Sequence, residues 1–127
     1  QGTADDRFDL YINGRRVTLQ EMTWQNPRVA DVTEFFRKGK NLIAFHLENN
    51  GEASGLLANF QLVTASGSVI KVDSDGTFRT LRNPGNDWKE RLYGENERFA
   101  PKVVGPYTVP PWGSWCLMAY EDLMYLL

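Results

Sequence analysis

The sequence predicts an all-β sandwich, and three observations carry the prediction. Apolar residues recur with period two through the first half of the chain, not with the 3.6 period of a helix. Glycine, asparagine and serine clusters break these runs at short intervals, as turns between strands do. Only one stretch carries helix-cap chemistry, and it has room for one or two turns.

The first alternating run is Arg7 to Ile12, with Phe8, Leu10 and Ile12 on one face. Asn13-Gly14 follows, the preferred centre of a two-residue type I′ hairpin because both positions need positive φ. The return strand is expected over Arg15 to Leu19. In Val29 to Lys40, Asp31 and Glu34 have capping-box spacing with Asp in place of Ser or Thr, and Gly39 ends the turn in the left-handed region. Alternation resumes over Asn41 to Asn49, setting Ile43, Phe45 and Leu47 against Ala44, His46 and Glu48. Asn49-Asn50-Gly51 is loop chemistry. Gly55 to Val63 reads as a strand with Leu56, Ala58, Phe60 and Leu62 in register. Ala65-Ser66-Gly67 turns it into Ser68 to Val72, and Thr77 to Leu81 continues after a break at Asp73-Ser74-Asp75-Gly76. From Arg82 to Trp115 proline and glycine punctuate a long segment whose bulky residues are aromatic, a functional loop system or a strap over the sandwich. In the tail Cys116 to Leu127, Tyr120, Leu123, Met124 and Leu127 fit an amphipathic helix, with an apolar strand as the rival reading.

Composition narrows the function. The chain has 127 residues, 42% of them hydrophobic, and 14 Lys+Arg against 16 Asp+Glu give a net charge of −2. That is one domain with a core of its own, at residues 1–115, followed by the apolar extension 116–127. No apolar run reaches the roughly 20 residues of a membrane span. A slightly acidic chain offers no cationic field for nucleic acid, and the short basic clusters Arg15-Arg16 and Arg37-Lys38 with Lys40 are ordinary for turns. One Cys precludes an internal disulfide, and one His with one Cys leaves a zinc site only if carboxylates supply the remaining ligands.

The aromatics outside the strands are the candidate chemistry. Trp24, Trp88, Trp112 and Trp115, with Tyr93 and Tyr107, lie in loops, whereas the strands build their core from Phe, Leu, Ile and Val. Flat rings stack on the C–H faces of sugars while nearby amides and carboxylates bond the hydroxyls. Trp24, Tyr107, Trp112 and Trp115 are the expected stacking residues, with Asn49, Asn50 and Glu52 as polar partners. The rival reading makes Trp112 and Trp115 plugs that pin the proline-rich strap to the sandwich, a role that extends to Trp88, and makes the asparagines plain turn formers. Glu95 and Glu97, with Asp87 and Glu90, are the carboxylates a glycosidase would draw on, or simply a solvated acidic loop. His46 has no nucleophile elbow to serve and reads as a partly exposed strand residue.

Asp9-Leu10-Tyr11-Ile12-Asn13-Gly14-Arg15-Arg16-Val17, then Asp31-Val32-Thr33 with Gly39-Lys40-Asn41-Leu42-Ile43-Ala44-Phe45, then Gly55-Leu56-Leu57-Ala58 resemble, in that order, one known family. It is the galactose-binding-domain-like, sugar-binding jelly roll that accompanies family-two and rhamnosidase-type glycoside hydrolases. Val104-Gly105-Pro106-Tyr107 and Pro111-Trp112-Gly113 look like the end of this module in large secreted bacterial proteins. The resemblance implies a non-catalytic carbohydrate-binding or accessory module of a larger, extracytoplasmic glycan-processing protein, with a carbohydrate ligand and an adjacent domain or chain as partners. It implies no cofactor. A structural calcium, which many such modules hold, stays open on Asp73-Ser74-Asp75-Gly76 or on Asp5, Asp6 and Asp9. Members usually carry strands before the hairpin; here the hairpin is expected to open the chain, as in a fragment whose first strands lie elsewhere. Where relatives carry Trp after the Asp-containing turn, this chain has Phe78. The alternative function is a structural domain that docks another chain through an open strand edge and the apolar tail.

Overall fold

The computed structural model describes residues 1–5, 7–19, 28–50 and 55–103. Two antiparallel sheets face each other, as an all-β sandwich requires. One has the order β1-β5-β6, from β1 (Gly2–Asp5), β5 (Gly55–Val63) and β6 (Val69–Asp73). The other has the order β3-β2-β4, from β2 (Arg7–Ile12), β3 (Arg15–Val17) and β4 (Ile43–Glu48).

The core follows from the alternation. Phe8, Leu10, Ile12 and Val17 of one sheet meet Ala4 and Phe60 of the other, with Leu56, Val72, Ile43 and Phe45 packed around them. Phe45 meets Phe8 edge-on at 5.2 Å between ring centroids and stacks with Phe78 at 6.3 Å. Phe78 is half-buried and extends the aromatic packing outward from Phe45.

Turn chemistry fixes the register. Asn13 and Gly14 adopt φ of 51° and 82°, so the hairpin closes as its dipeptide demands. Gly39 at 88° and Gly67 at 84° reverse the chain where the sequence placed turns. The helical turn is a short 3₁₀ element at Thr33–Phe35, and it closes one end of the core with Val32, Phe35 and Phe36. Asp31 accepts bonds from the Thr33 amide at 3.0 Å and its hydroxyl at 2.6 Å, which hold its carboxyl below the usual range. The expected capping box does not form: Glu34 reaches from the 3₁₀ turn to Arg15 of the hairpin at 3.6 Å instead.

Two expectations need correction. A strand precedes the hairpin: Gly2 to Asp5 pairs with Ala58 to Gly55, and Thr3 and Ala4 are buried. Nothing in that short, small and polar stretch announces it; the pairing partner creates it. Conversely, Thr77 to Leu81 forms no strand, only a single bridge from Thr80 to Phe99. Asp75 bonds the Thr77 amide and hydroxyl and so tightens the turn after β6 in a way that uses up one carboxylate oxygen. The tail 116–127 lies outside the described residues.

Candidate functional site

Strand alternation puts a second set of side chains on the face turned away from the core. On β2 these are Arg7, Asp9 and Tyr11; opposite them on β4 stand Glu48, His46 and Ala44, and Arg16 of β3 is across from Tyr11. Arg7 Nη2 meets Glu48 Oε2 at 2.6 Å, and Arg16 Nη2 meets Asp9 Oδ1 at 2.6 Å. Both pairs are substantially exposed, so solvent screens them and they add little to stability. Their effect is orientation: each carboxylate is held by one oxygen. The hydrogen bond from Arg16 also keeps the Asp9 carboxyl below its ordinary range. His46 Nδ1 lies 3.8 Å from Asp9 Oδ2 and 4.0 Å from Glu48 Oε1.

A strap crosses one end of this face. Thr80 and Phe99 exchange backbone bonds of 2.8 and 2.9 Å that close the segment between them. Inside it Tyr93 is buried, and its hydroxyl donates to Asp87 at 3.0 Å while accepting from the Gly85 amide at 3.1 Å. Burial first, and the adjacent carboxylate second, push this phenol upward. The clamp sets Trp88 edge-on against Tyr11, with centroids 5.3 Å apart, and 6.2 Å from the His46 ring. Lys89 Nζ caps Tyr11 at 4.4 Å from the ring centre. Glu90 lies so close to the hairpin that a Cβ on Gly14 would stand 2.4 Å from its Cγ.

The result is an aromatic wall, Trp88 with Tyr11, beside a polar floor of Asp9, His46, Glu48 and two guanidiniums. Apolar ring surface next to fixed donors and acceptors suits a ligand with C–H faces and hydroxyls. The bond from Arg16 favours the ionised form of Asp9, whereas glycoside cleavage needs a protonated acid.

Of the residues expected to form a site, Trp24, Glu52, Tyr107, Trp112 and Trp115 lie outside the described residues. Asn49 and Asn50 are exposed and directly follow β4 in the chain. Trp88 packs on the sheet, as the plug reading has it. Glu97 is taken up locally, accepting from the Gly94 amide at 3.0 Å and pairing with Arg91 at 3.3 Å. The alternation along β4 sets His46 on the outward face but does not by itself bring it together with Asp9 and Trp88. The shared alternation of Arg7-Asp9-Tyr11 and Ala44-His46-Glu48 was the available signal; the register that joins them was not.

No protein-family model matches the chain. Over 118 residues it is 27% identical to an α-L-rhamnosidase of Streptomyces avermitilis, a match covering 87% of this chain and 11% of that enzyme. A lectin from Pleurotus ostreatus, solved in complex with GalNAc and in apo form, superposes with a TM-score of 0.69 at 23% identity. That match covers 90% of this chain and 33% of the lectin chain, and the likeness is one of fold. The chain thus spans about a ninth of the rhamnosidase and a third of the lectin.

Proposed function

We propose that this domain is a non-catalytic carbohydrate-binding or accessory module of a larger, extracytoplasmic glycan-processing protein. One observation carries the reading: a β-sandwich presents an ordered Trp–Tyr wall beside fixed carboxylate and guanidinium groups. The partial match to a rhamnosidase and the fold shared with a lectin crystallised with GalNAc support it. In this reading Trp24, Tyr107, Trp112 and Trp115 stack on sugar rings, and Asn49, Asn50 and Glu52 hydrogen-bond hydroxyls. Trp88 and Tyr11 add a wall beside Asp9. Shallow stacking on a hydrated ligand gives affinities of about millimolar to micromolar, or roughly −4 to −8 kcal/mol. The domain works beside a catalytic neighbour in the same protein, holding glycan for it or buttressing it.

The test is a titration of the chain with rhamnose-, galactose- and GalNAc-terminated oligosaccharides, followed by amide and indole NMR shifts. Saturable shifts at the Trp88 indole or at Asn49 and Asn50 are expected. A flat response across the panel removes the binding role.

The second reading, a docking domain, is favoured by a different feature. On β6, Val69 and Ile70 are 54% and 48% exposed, and among the described residues β5 is its one partner strand. Self-association or strand capture at this edge, measured by sedimentation, separates it from sugar binding.

A further inference from the structure

The polar floor holds an arrangement that sugar recognition does not require. Asp9 and His46 are register partners on β2 and β4, and Glu48 stands two residues further along β4 on the same side. Each carboxylate commits one oxygen to a guanidinium, Asp9 Oδ1 to Arg16 and Glu48 Oε2 to Arg7. The oxygens left over, Asp9 Oδ2 and Glu48 Oε1, are the ones nearest the imidazole, 3.8 and 4.0 Å from His46 Nδ1. One ligand atom from each of the three residues lies within 4.8 Å of the other two.

We propose that Asp9, His46 and Glu48 form a three-ligand site for a borderline divalent transition metal of the Zn²⁺, Ni²⁺ and Cu²⁺ class. The donor set chooses the metal. An imidazole nitrogen beside two carboxylate oxygens suits this class, whereas Ca²⁺ and Mg²⁺ take oxygen shells. The geometry needs little change. Metal–ligand bonds of about 2.0–2.2 Å in a tetrahedral site set ligand atoms roughly 3.3 Å apart. Closing from 3.8 and 4.0 Å asks only for small rotations of surface side chains, His46 being 52% exposed. Arg16 and Arg7 then act as the outer partners that orient ligating carboxylates. They also set the strength. Two guanidiniums cancel the two carboxylates, and Lys89 stands nearby over Tyr11, so a bound dication adds uncompensated positive charge and binds weakly. Three protein ligands leave positions open to water or to a ligand hydroxyl. The site is independent of whether the domain binds sugar.

Trp88 supplies the reporter, since its ring is 6.2 Å from that of His46 and an open-shell ion at His46 quenches it. Ni²⁺ is titrated into the full chain carrying Cys116→Ser, which removes the one competing thiol. Saturable loss of indole emission below about 1 mM is expected, reversed by excess Zn²⁺ and absent with Trp88→Phe. His46→Gln and Asp9→Asn, with unfolding midpoints checked, should each weaken binding by at least about tenfold. In the unsubstituted protein, Ni²⁺ should broaden the amide signals of Asp9, His46 and Glu48 before any others. Absence of saturable quenching, quenching unaltered by His46→Gln, or broadening centred elsewhere overturns the proposal.

Discussion

Replacing Asn13 tests the corner that joins the β2–β3 hairpin to the loop leading into β4. Its side chain donates to the Phe35 carbonyl at 3.0 Å and to Asn41 Oδ1 at 2.8 Å, and accepts from the Leu42 amide at 3.0 Å. Asn41 in turn bonds the Arg37 amide and carbonyl at 2.9 and 2.8 Å, so one asparagine pair ties the hairpin to the loop after the 3₁₀ turn. Two of the three Asn13 bonds are partly buried and one is exposed; at about 1 kcal/mol for each of the former and 0.5 for the latter, the loss is ~2.5 kcal/mol. Alanine adds strain of under about 1 kcal/mol because φ is positive there, for a total near 3 kcal/mol. Glycine escapes that strain but not the lost bonds. Asn13→Ala should therefore lower the melting temperature by about 10 °C, with Asn13→Gly slightly milder. Urea unfolding of the chain at constant m measures both, and a double-mutant cycle with Asn41→Ala should give a coupling of about 0.5 kcal/mol. If Asn13→Gly unfolds within about 0.5 kcal/mol of the parent, the corner is a passive turn and the reasoning fails.

Gly14→Ala should destabilise by about 1–2 kcal/mol in the same assay, because φ is positive and the new Cβ meets Glu90 Cγ. Adding Glu90→Ala should recover the steric part and leave the backbone part. Tyr93→Phe should speed hydrogen exchange at the Gly85 and Trp88 amides while leaving Leu10 and Phe60 slow, since it cuts the clamp and not the core. The Asp9 carboxyl is depressed in the folded state, so its contribution is present above the unfolded value near 3.9 and disappears as pH falls through the folded one. Arg16→Ala should accordingly flatten the acid limb of the stability curve, measured by urea midpoints between about pH 2 and 6.

Local chemistry made much of the fold readable. Asn13-Gly14 names its own hairpin, and the Gly55–Val63 strand runs between the limits its alternation sets. What local chemistry does not carry is partnership. Thr3 and Ala4 are buried because β5 lies beside them, and no pattern within those residues records that neighbour. Glu34 has capping spacing, yet Arg15 competes for it from a hairpin distant in sequence. The site shows the same division. The outward side of His46 was readable from β4 alone, whereas its approach to Asp9 and Trp88 depends on register and on the Tyr93 clamp. Trp24, Glu52, Tyr107, Trp112 and Trp115 are candidates by residue type and loop setting, which specify chemistry without position.

The bond pair joining Thr80 and Phe99 works as a hem around residues 81–98. An excursion fastened at its base can change length cheaply, since doubling a loop adds only about 0.6 kcal/mol of closure cost. Side chains carried there can be exchanged while the strands beneath keep their sequence, so the surface of this excursion and the folding of the sandwich can vary as separate traits.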